Sequence, residues 1–290
     1  MVEKVAILGG TGKMGRWFAN FFKNKGYQVI IGGRFPEKNK TVAKEIGVEA
    51  AASNTDAVNG ARIIVVATTL ETTVDTILQI KDSVEKGAII FDIASVKGRI
   101  PEALMELSSR GVRVISTHPM FGPGADSIVG RKVIVIPITD DEALTKWAVD
   151  LFRNEGSEVQ VVKDGEEHDR LIAITLSMVH FLNIVLGRFL GRRDIQEIRK
   201  LAGTTFSLQL TLVEAVFSED PALYYNIENL NPSFTEFLNE FISIVQEMAE
   251  TLRDKETFVR NFVEARESLS KDPKFHTAYE RFYKAVNSSE

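Results

Sequence analysis

The chain has 290 residues, 44% of them apolar and 26% charged, with a formal net charge of −5. That length fills one large or two medium hydrophobic cores, and the interspersed signs leave no broad basic field for a nucleic acid, so none is expected as a partner. The absence of cysteine rules out disulfides, thiolate chemistry and cysteine-ligated zinc or iron–sulfur centres. Met1-Val2-Glu3-Lys4 leads straight into a strand, without the charged and apolar regions of a secretion signal. No apolar run approaches the ~20 residues that cross a bilayer. A soluble, cytoplasmic protein with no membrane partner is expected.

Val5-Ala6-Ile7-Leu8 is a short apolar run ending in glycines, the pattern of a buried strand. Residues 13–25 follow with helical spacing, Met14, Trp17, Phe18, Phe21 and Phe22 on one side. Gly26 ends that helix and Val29-Ile30-Ile31 is a second strand. The alternation continues with a helix near 36–46, a strand at 62–67, a helix near 71–81, a strand at 88–93, a helix near 100–109 and a strand at 112–116. Lys132–Pro137 and Glu158–Val162 complete the sheet edge. Apolar strands alternating with amphipathic helices predict an α/β fold, a doubly wound, mostly parallel Rossmann sheet.

The character changes near Glu166. Residues 166–190 are mostly apolar, and helical stretches follow around 194–217, 233–252 and 255–270 with almost no strand signal. The expected division is a dinucleotide-binding domain over 1–163 and an all-α domain over 164–290. Ile172–Leu186 is apolar on most sides, which predicts burial on most sides, against another subunit as well as its own neighbours. A homodimer through the helical domain is expected.

Gly10-Thr11-Gly12-Lys13-Met14-Gly15 follows the first strand and opens the first helix. The glycines serve a tight turn, close approach of the backbone to a diphosphate, and close helix–strand contact. The diphosphate then meets the free N–H groups and dipole of the helix N-terminus. At the end of the second strand an NAD site usually carries Asp or Glu for the ribose 2′-hydroxyl. Here the order is Gly32-Gly33-Arg34, a glycine in place of the acid and then a guanidinium able to grip a 2′-phosphate. NADP is the expected cofactor, with NAD possible. Thr68, after the strand at 62–67, and Ser95 complete the expected cofactor set.

Ligands in this architecture bind at the carboxyl ends of the strands. One such end carries Asp92-Ile93-Ala94-Ser95-Val96-Lys97-Gly98, another Thr117-His118-Pro119-Met120-Phe121-Gly122-Pro123. Pro119 biases His118 to extended backbone, which predicts an imidazole on a stiff loop near the nicotinamide. Neutral histidine suits the task of accepting a hydroxyl proton near neutral pH. Ser95 is placed to orient that imidazole or to bond the substrate.

These two segments, with Glu167-His168-Asp169 and the stretch from Phe217 to Ile227 containing Asp220-Pro221 and Leu223-Tyr224, resemble prephenate dehydrogenases in order and spacing. The resemblance covers nearly the whole chain and is closest to the dehydrogenase part of bacterial chorismate mutase–prephenate dehydrogenases and to archaeal single-function relatives. No mutase segment precedes the first strand, so a monofunctional enzyme is expected. The resemblance implies oxidative decarboxylation of prephenate to 4-hydroxyphenylpyruvate in tyrosine synthesis. It makes His118 the base, sets Ser95 between that base and the nicotinamide, and has His168 and His180 line the substrate pocket. By their own spacing those two histidines read as core or boundary residues. Twelve residues apart, they stand ~18 Å apart along a helix and cannot share a metal. No metal is expected.

One position departs from the family pattern. Alignment on Phe217 and Asp220-Pro221 puts Ala215 where the family usually has an arginine for a substrate carboxylate. Arg131, Lys132, Arg170, Arg192 and Arg193 are the cations available to replace it. Arogenate, whose ammonium Glu214 would favour, is therefore an alternative substrate to prephenate, as is a mixed cyclohexadienyl specificity. The start of the chain also resembles NADP reductases that take hydride from a deazaflavin, which lack the H-P-M-F-G-P loop. A regulatory cofactor-binding protein is the non-enzymatic alternative.

Overall fold

Val5–Leu8, Ile63–Val66 and Ile89–Phe91 are uninterrupted apolar runs because both faces of the sheet are covered. In β1 (Lys4–Leu8) Val5 and Ile7 enter one core, with Phe18, Phe22, Phe91 and Phe152, while Ala6 and Leu8 enter the other, with Ile64, Ile90 and Leu104. The computed structural model describes residues 2–289. After β1 come α1 (Lys13–Asn24), β2 (Gln28–Gly32), α2 (Pro36–Ile46), β3 (Glu49–Ala50), α3 (Asn54–Val58), β4 (Ile63–Val66) and α4 (Leu70–Ile80). Then follow β5 (Ile89–Asp92), α5 (Ile100–Ser108), β6 (Arg113–Pro119), β7 (Lys132–Pro137), α6 (Glu142–Arg153) and β8 (Glu158–Val161).

The eight strands form one sheet in the order β3-β2-β1-β4-β5-β6-β7-β8. Every pairing is parallel except β6 with β7. The expected doubly wound, mostly parallel sheet is present. Its order reverses between β1 and β4, and the crevice at their carboxyl ends is where such sheets bind ligands.

The helical part comprises α7 (Gly165–Ile172), a π-helical turn over Ala173–Ser177, α8 (Met178–Leu190), α9 (Ile195–Lys200), α10 (Thr204–Phe217), α11 (Pro221–Asn229), α12 (Phe234–Thr251), α13 (Lys255–Leu269) and α14 (Ala278–Ser289). By proximity the residues form two compact units, and the first is larger than expected. It runs to Ile172 and takes back Tyr225–Pro232, whereas the second holds Ala173–Tyr224 and the chain from Ser233 onward. The chain leaves its last strand near 163 as expected, yet α7 stays with the first unit because Asp169 is bonded into it through the Lys97 and Gly98 amides.

Within the second unit α8 and α10 lie against each other. Gln209 Nε2 donates to Asn183 Oδ1 at 2.7 Å, and a Cβ on Gly187 would overlap the Phe217 ring. The expectation that Ile172–Leu186 is buried on most sides is not met within one chain. Ile174, Val179, Leu182, Val185 and Phe189 are 39–52% exposed. Their spacing puts them on one stripe, opposite Ser177 and Asn183, which are buried. The expected absence of a long apolar run is also corrected. Gly165–Leu190 is 26 residues of continuous helix with a window of mean hydropathy 1.7, enough by length and composition to cross a bilayer. Ser177 and Asn183 interrupt the sequence on the inner side of the helix, which leaves the outer stripe from Ile174 to Val185 largely apolar.

Candidate active site

The glycine segment is built as its spacing requires, with one addition. Gly9, outside the expected set, has φ +80°, and a Cβ there would lie 2.5 Å from the Ala67 carbonyl oxygen. A Cβ on Gly15 would overlap the Gly9 carbonyl, so α1 can approach β1 only with glycine at that position. Gly12 is the N-cap of α1 and offers no side-chain cap. A helix N-terminus of this kind favours an anion. A crevice of about 570 Å³ opens beside it, lined by Gly9, Thr11 and Gly12 after β1, Gly33, Arg34 and Lys38 after β2, and Ala67–Thr69 with Thr72 after β4. Thr11, Gly12, Gly33, Arg34 and Thr68 thus meet at one crevice. Gly10 lies under Ile31 and Gly15 is buried, so both support the turn without lining it. Lys13 and Met14 begin α1 outside the lining. Lys38 was missed. It lies one helical turn beyond Arg34, and that spacing was the available signal.

The second construction joins the ends of β5 and β6. Lys97 is 1% exposed, and its Nζ donates to Asp92 Oδ1, the Ala94 carbonyl and the Thr117 carbonyl, each at 2.8 Å. Asp92 also accepts from Ser116 Oγ and from the Ala94 amide. Burial pulls the Lys97 ammonium below its ordinary pKa, opposed by Asp92 and then Asp169. A buried pair of this kind holds geometry only when its remaining hydrogen-bonding sites are filled, as they are here. The result is a fixed floor under His118.

His118 stands on β6 itself, paired with Ile134 of β7, and not on a loop. The polar Thr117-His118-Pro119 run ends the apolar pattern, but β7 lies antiparallel beside it and extends the strand. The imidazole is 3% exposed. Its Nδ1 is 3.0 Å from His168 Nε2, and His168 Nδ1 is 2.8 Å from Asp169 Oδ1. Asp169 also accepts from the Lys97 amide at Oδ1 and the Gly98 amide at Oδ2, each at 2.8 Å. A carboxylate can only accept, so His168 donates from Nδ1 and presents a lone pair at Nε2. His118 then donates from Nδ1, and its own Nε2 keeps a lone pair with no partner among the described residues. Burial pushes the His118 pKa well below 6.5, with His168 and Lys97 adding to the effect. Burial also lowers His168, partly offset by Asp169. The His118 imidazole is therefore neutral at pH 7.

Two expectations change. His168 is fully buried with both ring nitrogens engaged, so it supports His118 and does not line a pocket. Ser95 is half-buried and makes no bond to His118, so the imidazole is oriented by His168 and not by that hydroxyl. Asp92, Lys97 and Asp169 were missed as individual contributors. Their signal was a charge at the end of an all-apolar strand, Ile89–Asp92, with an opposite charge on the turn that follows.

In the helical unit, His180 packs edge-on to Tyr224 with centroids 4.8 Å apart, and its Nδ1 is buried without a partner. Burial lowers its pKa. Arg131, Lys132, Arg170, Arg192 and Arg193 are all exposed, Arg193 lying over the Phe189 ring at 3.7 Å. Glu214, beside Ala215, is paired with Arg199. Both side chains are about half exposed, so the pair is a surface one.

Two family descriptions match in tandem. They are "Prephenate dehydrogenase, nucleotide-binding domain" over residues 18–161 and "Prephenate dehydrogenase, dimerization domain" over 164–265. A probable arogenate/prephenate dehydrogenase of Methanocaldococcus jannaschii is 35% identical over 277 residues, 93% of this chain. The chain spans 62% of that relative's length. The solved prephenate dehydrogenase of A. aeolicus in complex with hydroxyphenyl propionate and NAD+ superposes with a TM-score of 0.73 at 20% identity, covering 94% of this chain and 99% of that one. The likeness to an F420-dependent NADP reductase of Methanothermobacter thermautotrophicus, 36% identical, is confined to 99 residues, 31% of this chain and 42% of that protein. The sheet order, the H-P-M-F-G-P strand end and both tandem matches agree, and the chain belongs to the prephenate dehydrogenase family.

Proposed function

We propose that the protein oxidises a cyclohexadienyl substrate, prephenate in the first instance, with loss of its ring carboxylate as carbon dioxide to leave 4-hydroxyphenylpyruvate, and that its cofactor is NADP. The observation that carries the reading is the bond chain Asp169–His168–His118, which leaves a neutral imidazole with one free lone pair. The bound nicotinamide supplies the hydride acceptor. As hydride leaves the carbon that bears the hydroxyl, His118 Nε2 takes the proton of that hydroxyl, the carbon–carboxylate bond breaks, its electron pair completes the aromatic ring, and the ring oxygen takes a proton back from the imidazolium. The imidazolium that forms is answered through His168 by the Asp169 carboxylate, the role of the acid in a hydrogen-bonded triad.

The amides at the start of α1 would hold the diphosphate, and Arg34 with Lys38 would meet the 2′-phosphate. His180, whose ring nitrogen is buried without a partner, is proposed as a substrate-binding residue on the strength of the family resemblance. The apolar stripe on α8 is the surface through which two copies pair. The M. jannaschii name covers both arogenate and prephenate, and turnover of each compound separates them.

The test is turnover of prephenate and arogenate with NADP and NAD, followed by absorbance of the reduced nicotinamide. The expected result is prephenate oxidation with NADP preferred. Turnover of neither compound would overturn the assignment, and arogenate turned over alone would overturn the substrate.

A further inference from the structure

Position 33 is where NAD sites place their acidic residue, and here it is glycine. The backbone does not demand this, because the φ of Gly33 lies outside the left-handed region. The obstacle is a side chain. A Cβ on Gly33 would lie 2.8 Å from Asn39 Oδ1, closer than such atoms approach. Asn39 cannot readily step aside. It is fully buried on α2, and its Nδ2 donates to the Gly33 and Ala51 carbonyls, both at 3.2 Å. Its Oδ1 is buried without a hydrogen-bond partner, so it is held against Gly33 by the bonds of the other half of the amide. Turning the amide over would place an equally large NH₂ at the same point and break both bonds.

We propose that Asn39 sets cofactor choice by keeping position 33 free of any side chain, so that Arg34 and Lys38 meet a 2′-phosphate with no carboxylate beside them. The proposal rests on the NADP reading above. A carboxylate at 33 would accept from a 2′-hydroxyl and repel a 2′-phosphate, yet it cannot be seated while Asn39 is present. Changing the cofactor therefore takes two substitutions, the buried one first.

The experiment compares the whole chain with Gly33→Asp, Asn39→Ala and the double variant, titrating NADPH and NADH by nicotinamide fluorescence and recording Tm. Gly33→Asp alone should lower Tm and weaken both cofactors, without turning the preference to NADH. Asn39→Ala alone should keep the preference for NADPH. The double variant should regain Tm over Gly33→Asp and move the NADPH-to-NADH affinity ratio at least tenfold toward NADH. A tenfold swing from Gly33→Asp alone at unchanged Tm would overturn the proposal, as would a double variant no more stable than that single one. An unaltered protein with no preference for NADPH would sink the NADP reading instead. The dependence of position 33 on Asn39 would then be judged by the Tm cycle alone.

Discussion

Replacing His168 by Phe would keep an aromatic ring of similar size under His118 while removing both of its nitrogens. The Nδ1–H of His118, now bonded at 3.0 Å, would have no acceptor in a site where that imidazole is 3% exposed. Leaving a buried donor unsatisfied costs ~1–3 kcal/mol. Applied to the transition state, where the ring gains charge, that is ~5–150-fold in kcat. Asp169 would retain the Lys97 and Gly98 amides, so the Ser95 turn should stay in place and KM and cofactor affinity should hold. His168→Gln restores an acceptor and should recover part of the loss. Kinetics across pH are the assay. In the unaltered protein the acid limb should lie well below 6.5, following the depressed His118 pKa. Phe at 168 removes both the acceptor of the His118 Nδ1–H and the link to Asp169, so it should move the limb as well as lower the plateau. If His168→Phe kept kcat and the position of the limb, the relay would be no more than packing.

His118→Asn should keep cofactor affinity and lose ~10²–10⁴-fold in turnover, the scale of a positioned general base, whereas Ser95→Ala should lose less; equal losses would return an orienting role to Ser95. Arg34→Ala should weaken NADPH binding by ~1.5–3 kcal/mol with NADH little changed, the scale of a charge-assisted bond, and titration of both cofactors checks it. The solution mass at micromolar concentration should be that of a dimer, and Val185→Glu, a charge placed at a position 50% exposed on the α8 stripe, should shift it to the monomer. Glu228, raised from 4.5 to about 7 by burial, carries a native-state proton that an unfolded chain would release. Its contribution is therefore present below pH 4.5 and lost as pH rises through about 7. Glu228→Gln should raise Tm more at about pH 8 than at about pH 5, and equal changes would show that the carboxyl is not desolvated.

The sheet was legible because strands covered on both faces cannot hide: Val5–Leu8, Ile63–Val66 and Ile89–Phe91 admit no polar residue. The glycine turn was legible because steric approach leaves no alternative residue at Gly15. What escaped depended on partners distant in sequence. β6 runs on through His118 because β7 lies beside it, and nothing in Thr117-His118-Pro119 announces that. Lys97 looks like a turn charge until Asp92, Ala94 and Thr117 surround its ammonium. The histidine of Glu167-His168-Asp169 is expected to line a pocket but spends both ring nitrogens inside the first unit, since sequence shows a residue type but not which way its ring nitrogens are spent. The two-residue strand β3 and the break between α9 and α10 were too short to register in any periodic pattern.

The return of Tyr225–Pro232 to the first unit has a consequence for how the protein is made. Asn231 Nδ2 donates to the Asp169 carbonyl, and Asn226 reaches Glu71 across 155 residues of chain. On a ribosome, the nucleotide-binding unit can form its sheet early, but the segment that closes over Asp169 emerges only after α8, α9 and α10 have been synthesised. Contacts at such separation are the late, slow ones in folding. The Asp169–His168–His118 bond chain should therefore be the last part of the first unit to become ordered, and a chain halted before residue 225 would hold a finished sheet with that bond chain left uncovered.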